Sequence, residues 1–216
     1  MSRLKITAVI PAFNEQETIS KVIEGVKEYA DEVIVVDDGS GDDTARIARS
    51  CGAVVISHDR NQGYDKSLDD GFAMAAERGA DVVFTFDADG EHDPSQIELI
   101  IGPILAGCAD VVVGRRPVRR RLAEHLFSFV GKLKAGVKDP LCGLKAYHID
   151  VYKDVGHFDK VGSIGTELLF RAKKKGYRIL QKDISLSNRA DESRFGMGLK
   201  ANWKIFKAIL KVMVSI

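Results

Sequence analysis

Four acidic side chains crowd the segment VVFTFDADGEHDP, residues 82–94: Asp87, Asp89, Glu91 and Asp93, with His92 among them. Like charges at alternate positions repel, so a segment that needed only a soluble turn had less costly choices. Hard divalent cations take carboxylate oxygens, and alternate residues of an extended segment can converge on one ion. A calcium loop fits poorly. Asp87, Asp89 and Glu91 take its positions 1, 3 and 5 and Glu98 its position 12, but His92 stands where the turn demands glycine, and a strand precedes instead of a helix. The favoured chemistry is a Mg2+ or Mn2+ site serving a phosphate-bearing ligand, with a purely structural turn as the bland alternative. Asp93 falls outside this set, because its place just before Pro94 suits a helix cap.

A second acidic pair, Asp37 and Asp38, follows the apolar run VIVV. The first turn after a strand, VIPAFNE, offers Pro11, Phe13 and Glu15 to border a nucleotide. No GxxxxGK(S/T) phosphate loop is present, and GMGLKA at 196–201 only echoes a dinucleotide fingerprint, since no strand leads into it. The net charge of +1 hides an asymmetry: acids concentrate in the first half, while basic residues crowd 115–138 and the C-terminus. That pattern points to an anionic partner other than nucleic acid, or else to a solvated basic face.

These side chains need a scaffold, and the apolar pattern supplies one. Ile6–Ile10, Glu32–Val36, Ala53–Ser57, Val82–Phe86 and Asp110–Val113 are short, β-branched and apolar on both faces, as expected of buried strands in a mostly parallel sheet. Helices are expected over Glu15–Tyr29, Asp43–Ser50, Lys66–Arg78 and Pro94–Ala106, with Asp42 or Asp43 capping the second. Alternation of this kind gives an α/β fold with ligands at the carboxyl ends of the strands, which is where both acidic pairs fall. Beyond residue 114 the pattern predicts a helix near 119–135, the segment Asp139–Tyr147, a helix over Thr166–Lys175, a strand over Arg178–Ser185, a loop and a C-terminal helix. The chain of 216 residues suits one domain. Cys51, Cys108 and Cys142 are odd in number and widely spaced, which fits a reducing cytoplasm better than disulfides or zinc. The start MSRLKITAVIPAF is too quickly polar for a signal peptide, and no run approaches the ~18 apolar residues of a membrane span.

VIPAFNEQETI, VIVVDDGSGDDTA, NQGYDKSLDDGF, VVFTFDADGEHDP and VVVGRR occur in an order and spacing that resembles the family 2 glycosyltransferases. The resemblance covers roughly residues 6–195, and DPLCGLKAY, ELLFRAKKKGYRI and SNRADESRFG bring the chain nearest to the dolichyl- or polyprenyl-phosphate sugar transferases. It implies a GT-A fold, a mostly parallel central sheet flanked by helices, in a catalytic domain over 1–195. It also implies a nucleotide-sugar donor and a Mg2+ or Mn2+ cofactor. By the same resemblance Pro11, Phe13 and Glu15 border the nucleoside, and Asp38 contacts base or ribose with Asp37 supporting its turn. Asp87, Asp89 and Glu91 fall on the metal pattern, Asp89 and Glu91 as direct ligands. Arg115 falls on the arginine near diphosphate and acceptor, and Arg189 and Arg194 on basic positions that close over the phosphates.

A metal would neutralise the diphosphate as the glycosidic bond breaks, and arginines would supply permanent bidentate donors to phosphate. Attack from the opposite face would invert the anomeric centre through an oxocarbenium-like state. Many hydroxyl-accepting relatives carry an acidic pair before the helix ending in Gly-Tyr; here SIGTELLFRAKKKGY sets Ile164 and Gly165 at those positions. A phosphate monoester, with second pKa about 6, needs no base, so a polyprenyl-phosphate acceptor is favoured, with Glu167 kept as a fallback base. Residues 196–216 form a basic amphipathic helix on the pattern: Lys200, Lys204, Lys207 and Lys211 share one arc, opposite Trp203, Phe206, Ile209, Leu210 and Met213. It would lie on the cytoplasmic membrane face, or dock on the core or on a second subunit of a homo-oligomer. Arg115, Arg116, Arg119, Arg120 and Arg121 would hold a lipid phosphate or form a solvated face. Tyr64, Asp65 and Lys66 replace small residues and would reshape the sugar pocket. Cys142 is expected to be a buried packing residue, and His92 to sit at the site's edge without binding metal. The alternatives are a hydroxyl-accepting glycosyltransferase, a nucleotidyltransferase, which should open on a Gly-rich loop, and a non-catalytic nucleotide- or metal-binding module.

Overall fold

The computed structural model describes residues 3–117, 122–185, 206–211 and 214. Seven strands, β1 (Ile6–Ala12), β2 (Glu32–Asp37), β3 (Val54–Ser57), β4 (Val82–Thr85), β5 (Val111–Arg115), β6 (Lys145–His148) and β7 (Ile179–Asp183), form one sheet in the order β3-β2-β1-β4-β6-β5-β7. The helices are α1 (Ile19–Val26), α2 (Thr44–Ser50), α3 (Tyr64–Glu77), α4 (Ile97–Leu105), α5 (Leu122–Ala135), α6 (Ile149–Val155) and α7 (Glu167–Lys174). Strands β1 to β4 pair in parallel, as do β5 and β7, while β6 runs antiparallel between β4 and β5. The apolar runs bury both faces: Val9, Ile10, Val35, Val36, Val83, Phe84 and Val111 to Val113 are all closed to solvent.

Reversal of β6 matters for the site. It brings Lys145, the first residue of that strand, into register with Thr85 and Val113, so the segment leading into β6 lies at the carboxyl end of β4 and β5. On the other side of the sheet's centre, α3 lies close on β1, where a Cβ at Gly71 would come within 2.3 Å of Val9 Cγ1. Only glycine allows that approach.

Two helices start later than the pattern suggested. Residues 15–18 form a turn in which the Glu15 carbonyl accepts from Thr18 and Ile19 N–H, so α1 begins at Ile19. Asp93 accepts from Ser95 N–H at 2.9 Å and caps a short 3-10 turn, Pro94–Gln96, ahead of α4. At α2 the N-cap residue Asp43 makes no capping bond and pairs with Arg46, while the preceding Asp42 accepts from Thr44 N–H at 3.0 Å in its stead. The basic residues Arg119, Arg120 and Arg121 lie outside the described residues, as do 186–205 with Arg189, Arg194, Lys200, Trp203 and Lys204, and Met213. Within the described helical stretch 206–211, Ala208 and Ile209 join the core while Phe206 and Leu210 stay exposed. The expected apolar stripe is therefore split, Ile209 docking on the domain itself. Among the described residues no helix is long and apolar enough to cross a membrane.

Candidate active site

The carboxyl ends of β1, β2 and β4 open on one side of the sheet. The turn after β1 and the loop after β2 are stitched together: Asn14 N–H donates to Ser40 Oγ, Gly41 N–H to Asn14 Oδ1 at 2.8 Å, and Glu15 N–H to Thr44 Oγ1 at 2.7 Å. Asn14 takes a left-handed conformation with φ +54°, which asparagine tolerates, and this turns the chain between Phe13 and Glu15. Phe13 stands exposed, as an apolar group offered to a planar ligand would, and Pro11 and Glu15 are half-buried beside it. Asp37 accepts from Ser40 N–H at 3.4 Å and supports the turn. Asp38, expected at the base or ribose, is buried and organises the next loop: Oδ1 accepts from Gln62 N–H at 2.7 Å and meets His58 Nδ1 at 2.7 Å, while Oδ2 accepts from Gly63 N–H at 2.8 Å.

Asp87 follows β4 directly. Tyr64 Oη donates to its Oδ1 at 3.3 Å, and His92 Nε2 lies 3.5 Å from Oδ2. The carboxylate rests against Gly143 so closely that a Cβ there would sit 1.8 Å from Oδ2. It nevertheless keeps 29% side-chain exposure, as a group on the floor of a recess does. Burial pushes the Asp87 carboxyl up, but His92 and the positive charges of Arg116 and Lys145 outweigh it and hold the group below the usual carboxylate range. Burial and the Asp87 charge push the Tyr64 phenol well up, so it stays protonated and donates. Asp89 Oδ1 accepts from Glu91 N–H at 3.0 Å across Gly90, whose φ of +72° makes the tip of the turn, and both acids are half-buried. His92 is buried against the Phe86 ring, and its Nδ1 has no hydrogen-bond partner among the described residues.

Adjacent arginines diverge after β5. Arg115 forms a two-pronged pair with Asp183 on the neighbouring β7, at the surface. Arg116 turns inward, where Nε and Nη2 grip the two oxygens of buried Asp139 at 2.8 and 2.9 Å and its backbone N–H adds a third bond at 3.1 Å. Burial disfavours that guanidinium's charge, but the Asp139 bonds more than offset this and raise its pKa. Arg116 is among the charges that hold the Asp87 carboxyl low, although Arg115 is the one the motif singled out. Successive residues leaving a strand point to opposite faces, so a shift of one exchanges inside for outside. Lys145 is buried beneath the same recess and donates from Nζ to the Gly165 carbonyl at 2.8 Å. Burial pushes its ammonium down, against the opposing fields of Cys142, Asp139, Asp87 and Asp159. Tyr64, Asp139 and Lys145 had signals in the sequence, polar residues inside otherwise apolar or motif-like runs, but nothing there said which way they point.

Ile164 and Gly165, the latter close to the Tyr64 ring, both take left-handed backbone conformations, φ +58° and +65°. For a β-branched residue that is a genuine outlier. The peptide is held from two sides, Gly165 N–H donating to Asp65 Oδ1 at 2.7 Å and its carbonyl accepting from Lys145. Glu167 requires a correction: it is closed to solvent and cannot serve as the fallback base. Its oxygens meet His157 Nε2 at 2.8 Å, Lys160 N–H at 2.7 Å, Val161 N–H at 3.1 Å and Arg171 Nε at 2.5 Å, so it ties the 157–161 loop to α7. Cys142 is buried, and burial pushes its thiol up to about 12, so it packs and does not react.

The chain is similar to known proteins over nearly its whole length. The UDP-N-acetylglucosamine–dolichyl-phosphate N-acetylglucosaminyltransferase of Methanococcus voltae is 29% identical over 242 residues, spanning 97% of this chain and 96% of its own. The undecaprenyl-phosphate mannosyltransferase of Micrococcus luteus is 27% identical over 220 residues, spanning 91% of this chain and 89% of its own. Glucosyl-3-phosphoglycerate synthase from Mycobacterium tuberculosis, crystallised with Mn2+ and UDP-glucose, superposes with a TM-score of 0.77 over 99% of this chain and 80% of its own; at 23% identity that likeness carries the fold alone. The expected GT-A fold is thus the fold found. A family model described as glycosyl transferase family 2 matches residues 7–126, more than half the chain, and the protein belongs to that family of glycosyltransferases.

Proposed function

We propose that this glycosyltransferase moves a sugar from a nucleotide-sugar onto a polyprenyl phosphate at a membrane surface, with inversion at the anomeric carbon and with a divalent cation. The observation that carries the acceptor assignment is the lack of an available base in the stretch 164–167. Ile164 and Gly165 occupy the sequence positions of the acidic pair that many hydroxyl-accepting relatives carry, and the next acid, Glu167, is sealed and bonded on both oxygens. A phosphate monoester is already largely deprotonated at neutral pH, its second pKa being about 6, and attacks without giving up a proton. The Methanococcus and Micrococcus relatives, named for transfer to dolichyl and undecaprenyl phosphate, support the same class of acceptor.

The acidic turn suits a hard cation. Among the described residues no three His, Cys, Asp or Glu side chains gather into a complete metal cage. Mg2+ and similar ions are commonly held by one or two carboxylates, with substrate phosphates completing the shell. Asp89 and Glu91 would be the ligands here, and such a site, when filled, would supply Lewis-acid neutralisation of the leaving diphosphate. The chain's own residues do the rest. Tyr64, Gly143 and His92 fix the Asp87 carboxylate, Arg116 and Lys145 keep it ionised, and Pro11, Phe13 and Glu15 border the nucleoside. Asp38 shapes the loop ahead of α3, and Arg115, Arg189 and Arg194 are proposed to meet the phosphates, Arg115 by leaving its exposed pair with Asp183.

Radiolabelled nucleotide-sugars, supplied in turn with Mn2+ and a polyprenyl phosphate and followed by organic extraction, test this reading. Metal-dependent counts in the organic phase are expected for one donor. Transfer to a soluble sugar hydroxyl, or no turnover with any donor, would overturn it.

A further inference from the structure

Helix α5 carries an apolar stripe that the catalytic reading does not use. Leu126, Phe129 and Leu133 recur at helical spacing and are 45%, 61% and 70% exposed. On the same helix Phe127, Val130 and Ala135 are buried, so α5 already has a core face, and the stripe is a second apolar face. Its charges are one-sided. Lys132 is exposed, Lys134 is half-buried, Lys138 follows just beyond the helix and is exposed, and the helix's one acid, Glu124, is buried.

We propose that this outer face of α5 seats the enzyme on an anionic lipid bilayer, which deepens the polyprenyl-phosphate reading and rests on it. An apolar stripe flanked by cations and free of exposed carboxylates has the make-up of an interfacial helix, its apolar side among acyl chains and its cations at anionic headgroups. A second protein is a poorer match. Even at the roughly 150–250 Å2 that a fully buried aromatic ring contributes, three side chains stay below the roughly 800 Å2 per partner of a stable interface. The position in the fold agrees. On the opposite face of α5, Gly131 packs so tightly on Pro140 that a Cβ would come within 2.8 Å of its Cγ. Pro140 adjoins Asp139, the residue that grips Arg116 at the recess. A bilayer against the stripe would therefore lie about one helix diameter, ~10–12 Å, from the wall of the site, where a lipid-borne phosphate must arrive.

Flotation of the full-length protein with phosphatidylcholine vesicles, with and without phosphatidylglycerol, tests the assignment. The wild type should float with the anionic vesicles and release as salt is raised. Phe129→Asp combined with Leu133→Asp should weaken partitioning at least about tenfold, with an unchanged melting temperature and unchanged transfer to a water-soluble short-chain prenyl phosphate. Absence of wild-type binding, or equal binding by the variant, would overturn the proposal. So would a wild-type dimer that the variant dissociates, which would assign the stripe to a second copy. A melting temperature several degrees lower in the variant would assign it to the chain's own covering segment and would also refute it. If the wild type floats but transfers sugar to no prenyl phosphate, the docking surface stands and the acceptor reading fails.

Discussion

Arg115 and Arg116 offer a direct contrast, because the same truncation at adjacent residues should have very different consequences. Arg116→Ala would strand Asp139, whose side chain is only 4% exposed, without the guanidinium that balances its charge. Leaving one partner of a buried pair uncompensated costs about 3–5 kcal/mol. Arg115 and Asp183 are 35% and 67% exposed, and a pair of that kind contributes about 0–1 kcal/mol. For a domain of this size each kcal/mol moves the melting temperature by roughly 2–4 °C. Arg116→Ala should therefore melt about 6–20 °C lower, and Arg115→Ala within about 4 °C of wild type. Arg116→Lys keeps the charge but loses the two-pronged grip and should fall between them. Removing Asp139 as well should recover part of the loss, because the stranded charge goes with it. Urea and thermal unfolding of the four variants would measure this. Equal losses at the two arginines, or no recovery in the double variant, would refute the assignment of inside and outside.

Gly143→Ala should abolish metal-dependent nucleotide binding while the chain still folds, because its Cβ would displace the Asp87 carboxylate that stands 1.8 Å away; titration with a fluorescent nucleotide in Mn2+ would report it. Gly71→Ala should cost about 1–3 kcal/mol in urea unfolding, since Val9 leaves no room under α3. Burial raises the Glu167 carboxyl, but bonds from His157, the Lys160 and Val161 amides and Arg171 pull it below its ordinary 4.5. The stability this group contributes is therefore present above pH 4.5 and lost as pH falls through the lower folded value, so Glu167→Gln should be less stable than wild type at pH 7 and converge on it in acid. In the native protein iodoacetamide should label exposed Cys108 and spare Cys142, as peptide mapping would show.

Most of the sheet was legible from pattern alone. Runs apolar on both faces have few places to go except the interior of a sheet covered by helices, and the acids ending those runs mark the ligand side. The placement of the 82–94 acids just beyond a buried strand was legible for the same reason. Asp93 and Asp42 followed from local cap chemistry, which needs only neighbouring backbone amides.

What the sequence by itself determined was the class of fold, the edge where chemistry would gather, and the family. Only the tertiary structure decided that Arg116 turns inward to Asp139 while Arg115 pairs with Asp183 at the surface, that Glu167 is sealed, that Gly143 must lack a side chain beside Asp87, and that Ile209 docks on the core while the stripe on α5 stays open. These depend on long-range juxtapositions: Arg116 with Asp139 across 23 positions, Gly165 with Asp65 across 100, and a reversed β6 inserted between β4 and β5, both of which precede it in the chain. Periodicity reports which residues share a face, but the direction of a face and the identity of its neighbour are set when the elements pack.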